Sequence, residues 1–301
     1  MAFIEVDSKN IYYDEYGADN ERVIAYFHGG PGEGCWSFVH QAMIFGEKYR
    51  VITFDQYGVL RSDAIGEDEA FGVMEHVQLI DKMRIALGIE KWAILGHSYG
   101  GMLACLYAYT FVHSVDAVIY DCPTWNMSLT SKAVARHLMP YYQQINAIDA
   151  LKICGDILDE NTTAREVFKH FLALPRNEQT SRYMHAIDAA EYEQYIRKYI
   201  PNIEIGNDDQ QKFIRHTQKL IDSSDFYGDY LPCLKDINTP SLLIVGEYDL
   251  TCDMVQRDYF REYSVYGVYV ELKKCAHLLW MQESKAYTKA ILDFLKGLEL
   301  G

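Results

Sequence analysis

Strand-like and helix-like stretches alternate along residues 1–122 and then stop. FIEVDS, NIYYDEY, RVIAYFHG and RVITFDQYG read as strands, a helical segment runs from about Ala70 to Leu87, and KWAILG, a helix and AVIYDC complete the series. Such alternation predicts a mostly parallel sheet, because parallel neighbours need a crossover and the crossover helices cover the sheet faces. From about Pro123 to Pro232 no apolar strand run stands out; the segment is polar, helix-biased and rich in tyrosine, as in YMHAIDAAEYEQYIRKYI. Strand signals return in SLLIVGEYD and GVYVELKK, and SKAYTKAILDFLKGL follows as a helix. The expectation is an α/β fold whose core, residues 1–122 and 233–301, is split by a helical cap over 123–232. With 301 residues, 49% of them hydrophobic, the chain can fill such a core. It carries no internal repeat and no low-complexity segment.

Within this frame, Gly96-His97-Ser98-Tyr99-Gly100 spells G-x-S-x-G. About 0.1 such matches would arise by chance in a chain of this size, so context has to decide. Trp92 to Leu95 read as a buried strand, and GMLACLYAYTFV has helical length without proline. Strand, tight turn and helix place Ser98 on a strained turn over the sheet edge, with the glycines allowing strand and helix to approach. The plainer alternative is that Ser98 caps the helix.

A serine hydroxyl is a weak nucleophile until a histidine takes its proton and a carboxylate orients that histidine. Asp249 stands just past the strand SLLIVG, and His277 just past the next one. Of ten histidines only His277 follows the last strand signal ahead of the C-terminal helix; His113, His137, His170, His185 and His216 fall in helical or cap segments. Glu247 and Asp253 are close enough to rival Asp249. An oxyanion would need the backbone N–H of Tyr99 and a second N–H from an early loop, and HGGPG (His28 to Gly32) offers that loop.

Taken in order, HGGPG, DQYGVLRSD, GHSYGG, GEYD and CAHLLWMQE resemble the proline iminopeptidase family of α/β-hydrolases, including the tricorn-interacting aminopeptidases. The likeness spans both core halves and the C-terminal helix but not the cap. It implies an α/β-hydrolase fold, a triad of Ser98, Asp249 and His277, an oxyanion hole of Gly30 and Tyr99, Gly29 against the substrate, and release of an N-terminal residue from short peptides. The family usually has a second glycine in D-Q-x-G-x-G-x-S, where this chain has Leu60, so a reshaped loop is expected there. Family caps hold acids that bind the substrate's free amine; position alone suggests Glu193 and Asp225 for that role. Cap tyrosines and Trp125 are candidate walls for the first side chain, with core packing as their alternative.

Net charge is −15 with no Lys/Arg cluster, which argues against nucleic acid and anionic membranes as partners; the substrate that the resemblance implies is a small peptide or amino-acid derivative. MAFIEVDSKNIYYDEYG has early acidic residues and no basic-then-apolar pattern, so a cytoplasmic location is expected. Seven scattered cysteines without a C-x-x-C pair point to free thiols and against a zinc site; no cofactor is expected. Cys35, Cys252 and Cys275 stand so near the site residues that thiol reagents are expected to inhibit. An esterase, lactonase or carbon–carbon bond hydrolase fits the same residues, since one triad serves many acyl substrates. A noncatalytic binding protein fits the intact set poorly, and dehalogenase or epoxide hydrolase chemistry would need an aspartate at Ser98.

Overall fold

The computed structural model describes residues 2–177, 179–185, 194–195, 197–199 and 205–298. Eight strands form one sheet in the order β1-β2-β4-β3-β5-β6-β7-β8. β1 (Ala2–Val6), β2 (Lys9–Tyr16) and β4 (Arg50–Phe54) pair antiparallel, and β3 (Val23–Phe27), β4, β5 (Trp92–His97), β6 (Val115–Asp121), β7 (Ser241–Gly246) and β8 (Gly267–Leu272) run parallel. The pattern of side chains explains the layering. β3, β5 and β7 are VIAYF, WAILGH and SLLIVG, buried at every residue, so both sheet faces are covered. β8 is one of the two edge strands, and its first residues are exposed. On the flanks α2 (Val73–Ala86) packs on α3 (Tyr99–Thr110), and α1 (Val39–Phe45) on the C-terminal helix Ser284–Gly297.

Between β6 and β7 the described residues contain helices and no strand: α4 (Met127–Gln144), α5 (Ile148–Leu158), α6 (Ala164–Ala173), a turn of helix at Arg182–His185 and a longer helix, Asn207–Asp222. α4 begins where the Asn126 side chain accepts the Leu129 N–H at 3.0 Å, and α6 begins at a Thr163/Glu166 capping box. Val134, Leu138, Ile157, Val167 and Leu174 form an apolar cluster of their own, separate from the core that lines the sheet. The helix Asn207–Asp222 lies against residues 57–69. Lys212 Nζ donates to the carbonyls of Leu60 (2.6 Å) and Ser62 (2.9 Å), Arg215 to Ile65 O (2.9 Å) and Lys219 to Glu69 O (2.7 Å), while His216 Nδ1 lies 2.8 Å from Tyr57 O. Positions 212, 215, 216 and 219 share one helix face, so a single stripe of four residues carries all five contacts.

Candidate active site

Every parallel strand of the sheet ends at the same edge, so the loops that follow β3, β4, β5, β7 and β8 converge there. β5 delivers Ser98. Its backbone sits at φ 55° and ψ −118°, outside the allowed regions for an ordinary residue, and a glycine on each side makes the turn possible. A Cβ on Gly96 would run into the Gly100 carbonyl, and one on Gly100 into Phe27 O. Ser98 N–H donates to Asp121 O (3.0 Å) and Ser98 O accepts from Gly101 N–H (2.9 Å), which fixes the turn. The hydroxyl makes no capping bond to α3, so the structural role considered for it is not the one it performs.

After β7 and β8 come Asp249 and His277. Asp249 Oδ1 lies 2.8 Å from His277 Nδ1, with both side chains buried. The carboxylate also accepts from Thr251 N–H (3.2 Å) and Cys252 N–H (3.0 Å). Burial pushes the Asp249 pKa up, but the facing His277, Arg257 and the Cys252 N–H together hold it below the ordinary aspartate value. The two rivals are occupied elsewhere: Glu247 accepts from Lys274 N–H (3.0 Å) and Asp253 accepts from Gln256 N–H (3.2 Å) at the start of the helix Met254–Tyr263. His277 in turn packs against His97, ring centres 4.6 Å apart, the residue directly before Ser98.

β3 delivers the HGGPG loop. Gly29 passes so close to the turn that a Cβ there would lie 2.9 Å from His97 Cδ2 and 3.1 Å from Ser98 Cβ. Gly30, at φ 115°, is exposed and joined to Pro31 by a cis peptide. Tyr99 opens α3, so its N–H belongs to the first helical turn, whose amides have no acceptor within the helix. His28 anchors the loop: Gln56 N–H donates to its Nε2 (3.1 Å) and Gln56 Nε2 donates to His28 O (2.9 Å). Burial pulls its pKa down to about 4, so the ring is neutral at pH 7. Asp55, after β4, accepts from Cys35 N–H (3.0 Å) and pairs with Arg61 (2.6 Å). Leu60 has a left-handed backbone, φ 42°, the conformation a glycine would take most easily.

Among the amine-binding candidates, Glu193 lies outside the described residues. Asp225 caps α2: its Oδ2 accepts from Met74 N–H (2.9 Å) and its Oδ1 from the Ser223 hydroxyl. None of its hydrogen bonds among the described residues reaches Ser98, Asp249 or His277. Trp125 is fully buried and stacked on Phe260, which makes it core packing. Cys35, Cys252 and Cys275 are completely buried, and burial raises their thiol pKa, that of Cys275 to about 12, which removes the basis for inhibition by thiol reagents.

Three further residues had no motif to flag them. Asp121 ends β6 beside His97, its Oδ2 3.3 Å from His97 Nδ1 and 3.0 Å from the Tyr287 hydroxyl that donates to it. Burial pushes Asp121 up to about 8 and His97 down to about 3, in each case favouring the neutral form. Its one signal was an acid closing the apolar run AVIY. Arg257 is buried and donates to Asp249 O (2.6 Å) and Cys252 O (2.6 Å), bracing the turn that carries Asp249. Glu33, the residue after HGGPG, places Oε2 3.3 Å from the point a Cβ on Gly29 would occupy.

Residues 22–284 match the family model described as alpha/beta hydrolase fold. The chain is 26% identical over 304 residues to the proline iminopeptidase of Heyndrickxia coagulans, covering 98% of both chains. It is 31% identical to that of Xylella fastidiosa strain 9a5c over 138 residues, only 44% of each. Among solved structures it superposes on a proline iminopeptidase-related protein from Thermus thermophilus, with a TM-score of 0.74, 21% identity and coverage of 99% of this chain and 97% of that one. It also superposes on the enol-lactonase from Burkholderia xenovorans, with a TM-score of 0.68, 18% identity and coverage of 98% and 100%. Fold, order of the loops and the matched family model agree: the chain belongs to the alpha/beta hydrolase fold family.

Proposed function

We propose that the protein is a serine hydrolase of proline iminopeptidase type that releases an N-terminal residue from short peptides, without metal or cofactor. The observation that carries this reading is the 2.8 Å contact between Asp249 Oδ1 and His277 Nδ1, at the sheet edge where the strained turn presents Ser98. In the reaction Ser98 Oγ attacks the scissile carbonyl carbon while His277 Nε2 takes its proton. Asp249 keeps the imidazole in the tautomer with its proton on Nδ1. The oxyanion accepts from the N–H groups of Tyr99 and Gly30. His277 then gives its proton to the departing amine, and the C–N bond breaks to leave an acyl ester on Ser98. A water molecule, deprotonated by His277, attacks that ester, and Ser98 recovers its proton as the freed residue leaves.

Likeness to proline iminopeptidases over nearly the whole chain supports the peptidase half of the reading. The helices between β6 and β7 act as the cap over 123–232. Free cysteines throughout the described residues support a cytoplasmic location, and a net charge of −15 supports a small substrate over nucleic acid. No helix among the described residues is long and apolar enough to cross a membrane. One observation favours a second reading, an ester or lactone hydrolase: the described cap acid, Asp225, is committed to capping a helix.

Two experiments decide. A fluorophosphonate probe is expected to label Ser98, and Ser98→Ala is expected to lose both labelling and turnover with the fold intact; activity near wild type in that variant ends the whole reading. Free and N-acetylated aminoacyl-naphthylamides, proline and alanine included, are then compared with p-nitrophenyl esters. Acetylated substrates are expected to be poorer by roughly a hundredfold in kcat/KM. Equal rates for free and acetylated substrates would leave a serine hydrolase that is no exopeptidase.

A further inference from the structure

An aminopeptidase must hold an ammonium at one fixed place. The α-nitrogen of the substrate lies about 2.5 Å from the carbonyl carbon under attack, by standard bond lengths and angles. That carbon rests about 3 Å from the nucleophile in a reactive pose. With a hydrogen-bond length added, the carboxylate that receives the ammonium must stand within about 8 Å of Ser98, on the loops of the sheet edge or directly above them. Asp225 is spent on the Met74 N–H and the Ser223 hydroxyl. Glu33 meets the geometric demand. The point that a Cβ on Gly29 would occupy is 3.3 Å from Glu33 Oε2 and 3.1 Å from Ser98 Cβ, which puts the carboxylate no more than about 6.5 Å from the Ser98 side chain.

The mounting of Glu33 differs from that of a stray surface acid. Its neighbours Gly32 and Gly34 are both left-handed, at φ 90° and 88°, which turns the chain sharply on either side. Its carbonyl accepts from Trp36 Nε1 at 2.7 Å, and two residues on, Cys35 N–H is held by Asp55 at 3.0 Å. The backbone is fixed, yet the carboxylate, half-buried, has no hydrogen bond and no ion pair among the described residues. A bare anion beside an oxyanion hole repels the negative charge that develops in acyl transfer, so it hinders reaction unless a cation sits between the two.

We propose that Glu33 is the carboxylate that binds the substrate's α-ammonium, and that it sets the preference for free N-termini by penalising neutral acyl groups. The proposal rests on the exopeptidase reading above and assigns the residue that serves it. The test measures kcat/KM for wild type and Glu33→Gln on alanyl-naphthylamide, its N-acetyl derivative and p-nitrophenyl acetate. In wild type the free amine is preferred. In Glu33→Gln, turnover of the free-amine substrate is expected to fall by roughly tenfold to a hundredfold, the loss of one charged hydrogen bond, while the ester and the N-acetyl substrate become faster; an ester left unchanged would overturn the penalty on neutral acyl groups. Glu33→Asp, which keeps the charge, is expected to retain part of the preference. A parallel fall on amide and ester would show a merely structural role and overturn the assignment. If wild type discriminates and Glu33→Gln discriminates equally, Glu33 is wrong and the exopeptidase reading stands. If wild type itself ignores acetylation, both fall together.

Discussion

Ser98 is held at φ 55° by what surrounds it, and such a conformation costs about 1–3 kcal/mol that the glycines and the strand on either side must sustain. This is why the turn was legible in the amino-acid order: only glycine fits at 96 and 100, so the pattern records a steric demand. Asp249 was less legible. Three acids stand close together at 247, 249 and 253, and the choice among them depends on which backbone N–H groups Glu247 and Asp253 face, which no spacing reveals. Nearness in sequence misled in the case of the thiols. Cys252 and Cys275 neighbour Asp249 and His277 along the chain, yet both point into packed interior with no exposed surface. Cys233 alone among the seven is partly exposed. Maleimide is therefore expected to modify native protein at Cys233 only, with activity retained, and all seven thiols after unfolding. Mass spectrometry of peptides checks this; rapid labelling of Cys252 or Cys275 with loss of activity would contradict it.

At the scale of elements, the mostly parallel sheet followed from alternation, because every buried strand is a short apolar run and parallel strands need covering helices; the order of the strands did not. Contacts between the inserted helices and the core were not legible, since a lysine reads alike whether it meets water or a carbonyl. Lys212, Arg215, His216 and Lys219 illustrate this: their 3- and 4-residue spacing suits a solvated face, but they close on the backbone of residues 57–69. That segment continues from Asp55, which holds the Cys35 N–H beyond the HGGPG loop. Replacing Lys212 by methionine removes donors from two carbonyls and is expected to cost about 1–3 kcal/mol of local stability. Hydrogen exchange of the amides of residues 57–69 should quicken, and kcat/KM should fall with them. Unchanged exchange in this segment would mean that the contacts are incidental.

At the scale of the whole molecule, His28, His76 and His216 are completely or almost completely buried and burial lowers the pKa of each, to about 4 for His28, to about 3 for His216 and well below the usual value for His76. In the unfolded chain each titrates near 6.5, so between that value and its folded one only the unfolded state takes up the proton. Stability is present in full above about pH 6.5 and is lost as pH falls toward 4, by about 2 kcal/mol at pH 5 for His28 and for His216. Urea midpoints are expected to drop from pH 7 to pH 5, and His216→Asn to flatten that slope; a midpoint constant over this range would refute the account. The insertion has a consequence in time as well as in space. Ser98 belongs to the part of the chain made before the helices at 127–222, while Asp249 and His277 come after them and take their places only when β7 lies along β6 and β8 along β7. Parallel pairing across so long an excursion is a late, slow event in folding. Under the proposed mechanism, a nascent chain carries Ser98 for most of its synthesis without His277 to activate it, and hydrolytic power arrives only with the finished molecule.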